Sequence, residues 1–204
     1  MNEIKNIIFD FGGVFLNIDL NKTAEAFAAV GVNNFSSMYS LAEASILFEK
    51  LETGIISPEK FYDALRKETQ TNLSDDEIKN AWNALLLNYP LERLEWLDAI
   101  KQKYNIYLFS NTNQIHQDEF TEIFFRQTGK RNFDDYFIKA WYSHKIKMRK
   151  PYPASFISLM QSENLNPAET LFADDTLKNI EGAVMAGLQV FHLAPPKTVF
   201  DLPL

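Results

Sequence analysis

Short apolar runs bounded by polar residues recur along the chain and predict buried β-strands. Four such runs are residues 4–9, 106–109, 170–173 and 189–193, the last of which follows a glycine. Because both faces of these runs are apolar, the strands are expected in the interior of a mostly parallel sheet.

The segments between the later runs have the periodicity of amphipathic helices. One helix is predicted over residues 176–186 with Gly187 as its C-terminal cap, and another over residues 151–163 before a turn at Asn166-Pro167. The alternation predicts an α/β fold with a Rossmann-like, mostly parallel sheet covered by helices.

This alternation is interrupted by the long segment between Phe15 and Ile106, which has helix signals and little strand character. The signals are an apolar face of Leu20, Ala24, Phe27 and Ala28, the cap Ser57-Pro58-Glu59, and the capping box Ser74-x-x-Glu77 before Ile78, Ala81, Trp82 and Leu85. We therefore expect a helical module at residues 17–95, inserted into an α/β domain made of residues 1–16 and 96–204.

Composition sets the size of the fold and narrows its partners. The chain has 204 residues, of which 46% are hydrophobic, and this suits a real core in one domain or in one domain with a large insertion. The formal net charge is −7. Because an acidic chain is repelled by phosphate backbones and anionic lipids, we expect neither a nucleic acid nor a membrane as partner.

The chain contains no cysteine, which excludes disulfides, Cys-ligated zinc, iron–sulfur clusters and a cysteine nucleophile. The histidines His116, His144 and His192 are far apart and lack the spacing of a histidine metal site. The first residues do not resemble a signal peptide, and no apolar run reaches the ~20 residues of a membrane span. The expectation is a cytoplasmic protein, and the sequence is compatible with a monomer and with a homodimer.

Four polar clusters follow the predicted strands, and the carboxyl ends of parallel strands share the sheet edge at which ligands bind. The first cluster is Asp10-Phe11-Gly12-Gly13. Its glycines permit positive φ angles and a close approach of the backbone to a ligand, so that their amides can face an anion. The alternative is that Asp10 only hydrogen-bonds its own turn.

The second cluster, Ser110-Asn111-Thr112-Asn113, precedes a helix predicted from about Gln114. A hydroxyl and an amide at a strand end can donate to phosphate oxygens. The same residue types are the commonest helix caps. Capping is expected of Asn113, whereas Ser110 and Asn111 are compatible with either role.

The third cluster is the basic run from Lys145 to Lys150, which precedes Pro151. Lys145 and Lys147 are expected on a solvated face. Lys150 directly precedes a proline that can open the next helix, so we expect it at a helix N-terminus beside the sheet edge, where an anion binds. An RNA or DNA patch is not favoured, because the run lacks interleaved aromatic residues and the chain is acidic.

The fourth cluster begins with Asp174 and Asp175, directly after an apolar run. Two adjacent carboxylates repel each other unless a cation or a hydrogen-bond network offsets the charge. Mg²⁺ binds through one or two carboxylates together with substrate phosphate and water. The interpretation that we favour is a metal site, and the alternative is a helix cap with a solvated neighbour.

Together the clusters supply a carboxylate nucleophile, hydroxyl and amide donors, a lysine and a carboxylate metal site, which are the groups needed for phosphoryl transfer through an aspartyl-phosphate. The motifs FDFGGV, FSNTN, RKP and FADDTLKNIEGAVMAG, in that order, resemble those of the haloacid dehalogenase superfamily of phosphatases over essentially the whole chain. The pattern is similar to the glucose-1-phosphatase-like subgroup. The inserted region, with Phe48-Glu49-x-Leu51-Glu52-x-Gly54 and Ile56-Ser57-Pro58-x-x-x-Phe61, resembles the helical cap of that superfamily.

The resemblance implies Mg²⁺-dependent hydrolysis of the phosphomonoesters of small metabolites, in particular sugar phosphates. Asp10 would attack phosphorus, and Lys150 would neutralise both Asp10 and the phosphoryl group. Ser110 and Asn111 would bind phosphoryl oxygens.

The metal would be held by the carboxylates of Asp10, Asp174 and Asp175 and by the backbone carbonyl of Gly12, and Asn179 would orient the aspartate pair. The cap would select the substrate. Its aromatic residues are expected mostly in the core; they include Phe35, Tyr39, Phe48, Phe61 and Tyr62.

One departure from the family's pattern is Gly12, since most phosphatases of the family have a second aspartate there as general acid and base. Such help is worth about 10²–10⁴ in rate. Two alternatives follow: a catalytically degenerate module that binds phosphorylated ligands, and a dehalogenase-type hydrolase, which also lacks that aspartate. Dehalogenases need no metal, whereas Asp174 and Asp175 favour one. Asp19 is a weak candidate for the missing acid, because an aspartate before a helix is more often a cap.

Overall fold

The computed structural model of the chain describes residues 3–40 and 42–204, apart from the side chains of residues 39–45. Its centre is a five-stranded parallel sheet in the order β3-β2-β1-β4-β5. The strands are β1 (Asn6–Phe9), β2 (Asn105–Ser110), β3 (Lys139–Tyr142), β4 (Thr170–Asp174) and β5 (Gln189–His192). Parallel strands need crossover connections, and helices supply them here.

The described part of the chain also contains ten α-helices. They are α1 (Leu20–Ala29), α2 (Phe35–Ser40), α3 (Ala42–Glu52), α4 (Pro58–Thr69), α5 (Asp75–Asn83), α6 (Leu91–Ile100), α7 (Gln114–Thr128), α8 (Ser143–Ile146), α9 (Pro153–Ser162) and α10 (Leu177–Met185). None of them combines the length and the apolar character needed to cross a bilayer, within residues 3–40 and 42–204.

The two faces of the sheet are buried under different helices. Alternate strand residues such as Phe9 and Leu108 pack with α6 and α7, whereas Ile8, Tyr107 and Phe172 pack with α9 and α10. Successive side chains of a strand point to opposite faces, so a strand covered on both sides must be apolar throughout. This explains the continuous apolar runs, and β1 is buried along its whole length.

The four predicted strands are confirmed, with ends that differ by one or two residues. The fifth strand, β3 (Lys139–Tyr142), was not predicted; its first two residues are not buried, and within the described part of the chain it pairs only with β2 at the sheet edge. An edge strand with one wet end gives no continuous apolar run. Five strands therefore replace the four expected, without a change of fold class.

Helix ends agree with the capping signals. Ser57 accepts from the backbone N–H of Lys60, and Ser74 forms a capping box with Glu77. On α1 the predicted apolar face is only partly confirmed: Phe27 is buried as expected, whereas Leu20 is 64% exposed and Thr23, which was not expected there, is buried.

The predicted start of the helix after Lys150 is also wrong. The helix α9 begins at Pro153 instead of Pro151, and Tyr152 is its extended N-cap with ψ 121°. The residue before a proline is kept out of the helical region, so Pro153 forbids a helix that already includes Tyr152.

The inserted helices have a hydrophobic core of their own. It is formed mainly by side chains of α1–α5, with Phe27, Phe61 and Trp82 among them, and by Ile115 from α7. Of the aromatic residues expected there, Phe35, Phe48, Phe61 and Tyr62 are buried, and the side chain of Tyr39 lies outside the described residues. The domain boundaries at 16/17 and 95/96 stay a prediction.

Two linkers join the inserted helices to the sheet and run side by side. Asn17 and Asp19 donate backbone hydrogen bonds to Asn88 and Leu85, and Leu87 donates back to Asn17. The paired linkers fix where the helices emerge, directly after the turn that follows Asp10.

Candidate active site

Asp10 follows the central strand β1 and lies at the carboxyl edge of the sheet. Its backbone N–H donates to the carbonyl of Ala173, which extends the pairing of β1 with β4 by one residue. The neighbouring strand β4 ends in Asp174, so the parallel register places the two aspartates beside each other. Sheet topology alone therefore joins the first and fourth polar clusters.

Lys150 reaches the same place from the loop before α9. Its Nζ lies 2.5 Å from Asp10 Oδ1 and 2.7 Å from Asp174 Oδ2, and the residue is only 1% exposed. A buried ammonium is stable only when paired, and here two carboxylates share it. The expected position beside the sheet edge holds, although no helix begins at Pro151.

The Asp174 carboxylate is fixed on both oxygens. Oδ1 accepts from the backbone N–H of Thr176, and the amide of Asn179 donates to Oδ1 and Oδ2 at 3.1 and 3.0 Å. The Asp175 carboxylate instead accepts from the Thr176 hydroxyl at 3.2 Å. Asn179 thus orients Asp174.

The turn after Asp10 requires glycine at one of its two glycine positions. Gly13 has φ +77°, and a Cβ atom at this position would overlap the carboxylate of Asp175. Gly12 has no such φ, and a Cβ there would meet Ile18 only at ordinary contact distance. Glycine is therefore sterically required at position 13 and not at position 12.

Arg93, to which sequence analysis assigned no role, holds this turn from outside. Its Nη1 donates to the carbonyls of Gly13 and Val14 at 3.2 and 2.6 Å. Arg93 lies on α6, far along the chain, and no local pattern marks it.

The residues of the second cluster contact different parts of the structure. Asn113 caps α7 by accepting from the N–H of His116, as expected. The Asn111 side chain donates to the Lys150 carbonyl and accepts from the Lys150 N–H, both at 2.9 Å. Asn111 therefore holds Lys150 in place, and these two contacts use only one of its two amide hydrogens. Ser110 is buried at the end of β2.

Within the basic run, Lys145 and Lys147 are exposed, as expected. Arg149, to which sequence analysis assigned no role, pairs with two glutamates of α3: its Nη2 lies 3.1 Å from Glu52 Oε2, and its Nη1 lies 3.6 Å from Glu49 Oε2. These contacts tie the loop of Lys150 to the inserted helices.

The electrostatics of the cluster favour a further cation. Burial, and then Asp174, raise the pKa of Asp10 to about 7, although Lys150 acts in the opposite direction. Burial and Asp174 also raise the pKa of Asp175. Burial alone would lower the pKa of Lys150, but Asp10 and Asp174 outweigh it and raise that pKa.

The donor set fits Mg²⁺. Asp10, Asp174 and Asp175 each offer an oxygen, and these oxygens lie within 4.8 Å of one another. Three carboxylates against the single ammonium of Lys150 leave two uncompensated negative charges, the charge of one divalent cation. An all-oxygen set with few carboxylates and room for water and phosphate suits magnesium.

A cavity of about 320 Å³ lies between the inserted helices and this edge of the sheet. Asn111 contributes to its wall from the sheet side, and Glu52, Trp82 and Leu20 do so from the inserted helices. This volume suits a small metabolite. A larger groove of about 1150 Å³ runs along the opposite, amino-terminal ends of the strands, remote from the three carboxylates.

Comparison with known protein families agrees with the fold and with the acidic cluster described above. The family model of the haloacid dehalogenase-like hydrolases matches residues 4–187. The chain belongs to the haloacid dehalogenase-like hydrolases. The family resemblance of the motifs is thereby confirmed, and so is the expected α/β fold.

Similar proteins share nearly the full length of this hydrolase. A D-ribitol-5-phosphate phosphatase from Bacteroides thetaiotaomicron is 31% identical, with 93% of this chain and 91% of that protein covered. A HAD family enzyme from the same organism, solved in complex with magnesium and inorganic phosphate, is 33% identical, with 93% of each chain covered and a TM-score of 0.82.

A 2-haloacid dehalogenase from Pseudomonas syringae is more distant. It is 16% identical, with 98% of this chain and 90% of that chain covered and a TM-score of 0.59. This likeness shows a shared fold. The relative named as a phosphatase, the relative solved with magnesium and phosphate, and the acidic cluster together favour phosphate chemistry over dehalogenation.

Proposed function

We propose that this hydrolase releases phosphate from small phosphorylated sugars or sugar alcohols, with Asp10 as the nucleophile. The observation that carries the proposal is the buried cluster of Asp10, Lys150 and Asp174 at the carboxyl edge of the sheet. The relative named as a D-ribitol-5-phosphate phosphatase supports the choice of substrate class.

The reaction has two displacement steps at phosphorus. A carboxylate oxygen of Asp10 forms a bond to phosphorus, the ester P–O bond breaks, and the departing alcohol oxygen takes up a proton. Water then attacks phosphorus, the bond to Asp10 breaks, and inorganic phosphate leaves. Lys150 offsets the charge of Asp10 and of the phosphoryl group, so that one anion can approach another.

Ser110 and Asn111 are proposed to bind the phosphoryl oxygens. Ser110 follows the apolar part of β2, and Asn111 lines the cavity, with one amide hydrogen beyond its contact with Lys150. Both are neutral donors at a strand end, and such donors hold phosphate oxygens without adding charge.

Mg²⁺ would be held by Asp10, Asp174, Asp175 and the carbonyl of Gly12. When bound, it offsets negative charge on the phosphoryl oxygens and orients the group for in-line displacement. Gly13 leaves the space in which Asp175 approaches the turn.

The proton for the leaving group comes from water or from the substrate itself. Gly12 supplies no side chain, and the Asp19 carboxylate is used as the N-cap of α1, where it accepts from the N–H of Asn21. Asp19 is therefore a cap in this proposal, and the acid position two residues after the nucleophile stays without a carboxylate.

The inserted helices act as the cap in this proposal and enclose the substrate between themselves and the sheet. Their contact with the loop of Lys150, through Arg149, supports that role. The proposed location is the cytoplasm, because charged sugar phosphates do not cross lipid bilayers unaided.

A panel of sugar and sugar-alcohol phosphates, assayed for phosphate release with Mg²⁺ and with EDTA, tests the proposal. We expect turnover that EDTA abolishes and added Mg²⁺ restores. The absence of an acid at Gly12 favours one second candidate, a degenerate module that binds these ligands. Binding by calorimetry without any phosphate release would support that module, and activity that survives EDTA would contradict the metal site.

A further inference from the structure

Among the side chains that the structure describes, the cavity beside the active site contains one acidic group, Glu52 at the end of α3. It also contains Asn111, whose side-chain amide forms hydrogen bonds with the backbone carbonyl and the backbone N–H of Lys150. The phosphate end of a bound substrate would thus lie near Asn111, and its carbon chain would extend toward the inserted helices. Glu52 lies on that second side.

Glu52 is withdrawn from solvent and incompletely paired. Its side chain is 20% exposed, and its one ion-pair partner among the described residues is Arg149, 3.1 Å away. The geometry of this contact does not make a hydrogen bond, so Oε2 of Glu52 has no hydrogen-bond partner there. Burial raises the pKa of Glu52 even though Arg149 lowers it. A carboxylate has about four acceptor sites, so donors are lacking.

We infer that Glu52 is a specificity-determining residue that accepts hydrogen bonds from the hydroxyl groups of the substrate's carbon chain. The inference rests on the proposed function and narrows its substrate class to phosphates with several hydroxyls. The Glu52 side chain lines the cavity, so the carboxylate oxygen that Arg149 does not cover can accept from a substrate hydroxyl there. Arg149 is a positioning residue, which holds the carboxylate toward the cavity.

The charge of the pair is consistent with an anionic substrate. An unpaired glutamate would repel a phosphate, but Arg149, which Glu49 shares, offsets part of the charge of Glu52 and leaves it an acceptor oxygen. The same guanidinium lies next in the chain to Lys150. The residue that positions Glu52 and the residue that neutralises the phosphate, Arg149 and Lys150, are therefore consecutive in the chain.

Glu49 provides a matched control. It also pairs with Arg149, at 3.6 Å, but its side chain is 41% exposed and does not line the cavity. If the glutamates served only to attach α3 to the loop of Lys150, the two substitutions Glu49→Gln and Glu52→Gln would act alike on all substrates.

The experiment compares two five-carbon phosphates, ribitol 5-phosphate and n-pentyl phosphate, which differ in hydroxyls and share a primary alkyl leaving group. Pentyl phosphate is measured as a substrate or, where turnover is slow, as a competitive inhibitor. Glu52→Gln is expected to lower kcat/KM for ribitol 5-phosphate about tenfold, mainly through KM, because a charged acceptor binds roughly twice as strongly as a neutral one. For pentyl phosphate, kcat/KM or the inhibition constant should stay close to the wild-type value. Glu49→Gln should preserve the ratio of the values for the two phosphates.

Equal losses on both phosphates, or a loss confined to kcat, would overturn the inference and assign Glu52 a structural or acid role. A wild-type enzyme that does not prefer the hydroxylated substrate would overturn it as well. If the wild type releases phosphate from neither compound nor from the wider panel with Mg²⁺, the proposed function itself fails. Retained action on pentyl phosphate shows that the Glu52→Gln variant is folded.

Discussion

The ammonium of Lys150 lies 2.5 Å from the carboxylate of Asp10, although 139 residues separate the two along the chain and neither is exposed by more than 8%. Asp10 follows the central strand β1 and lies at the carboxyl edge of the sheet. The pair forms because the loop before α9 returns to the same edge. Lys150 thus compensates charge in the folded protein before any substrate binds.

Lys150→Met is expected to cost about 3–5 kcal/mol in the free energy of unfolding without metal, because Asp10 and Asp174 lose their buried cation. Added Mg²⁺ should recover part of the loss by occupying the same carboxylates. Urea unfolding with and without Mg²⁺ measures both effects. Lys145→Met, at an exposed position of the same run, should change stability by less than about 0.5 kcal/mol. Equal losses in the two variants would contradict the role of Lys150 as the buried counterion.

Asp10→Asn is expected to abolish turnover while the fold persists, because the nearly isosteric amide removes the nucleophile. Phosphate release and thermal unfolding check the two parts separately. Asp19→Asn makes the same chemical change at the N-cap of α1, where asparagine also caps well, and should leave the rate near that of the wild type. Near-native rates for Asp10→Asn would show that Asp10 is only a turn residue.

Gly13→Ala is expected to weaken Mg²⁺ binding and stability together, because the new Cβ would displace Asp175. Gly31→Ala is the control for backbone strain: φ is +92°, and no atom lies within 4 Å of the added Cβ. Gly31→Ala should lower the free energy of unfolding by about 1–2 kcal/mol and leave the Mg²⁺ affinity unchanged. Calorimetric titration with Mg²⁺ compares the two variants, and unchanged affinity in Gly13→Ala would refute the steric argument.

His116 makes stability depend on pH. Its Nε2 contacts the carbonyl of Trp82, and its Nδ1 contacts the amide of Asn113, so the neutral ring with the proton on Nε2 satisfies both. Burial lowers the His116 pKa to about 4. The unfolded chain, with a pKa near the ordinary 6.5, then binds the proton preferentially, and stability is lost as the pH falls from about 6.5 towards 4.

The comparison with His116→Gln isolates this contribution. The stability advantage of the wild type should be constant above about pH 6.5 and shrink by at most about 1.4 kcal/mol per pH unit below it. Urea unfolding of both proteins between about pH 4.5 and about pH 8 gives the difference in their free energies of unfolding. A difference that does not vary with pH would mean that His116 titrates alike in the folded and unfolded states.

The rate should depend steeply on the leaving group, since Gly12 supplies no acid. Among phosphates without hydroxyl groups, activated aryl esters are expected to react much faster than alkyl esters at similar binding strength. A hydroxylated substrate that protonates its own leaving oxygen would lie above this trend. Measured kcat values across a series of leaving-group pKa values test it, and a flat dependence would reveal a protein acid.

The sequence by itself determined the sheet and the place of the chemistry. Continuous apolar runs specify strands covered on both faces, and parallel strands bring their carboxyl ends to one edge. Asp10, Ser110 and Asp174 therefore had to converge, because each directly follows or ends such a run. The caps at Ser57 and Ser74 were equally predictable, since capping involves only residues three positions apart.

Only the tertiary structure decided which residues hold these groups in place. Arg93 on the turn of Gly13, Asn111 on the backbone of Lys150, and Arg149 on Glu52 join segments that no local period relates. Such contacts depend on how separate elements pack. The local sequence around a residue predicts its own helix or strand, but it does not identify a contact partner that is distant in the chain. The edge strand β3 was not predicted for a related reason: it begins with the exposed Lys139, and only its last two residues are buried, by neighbours distant in the chain.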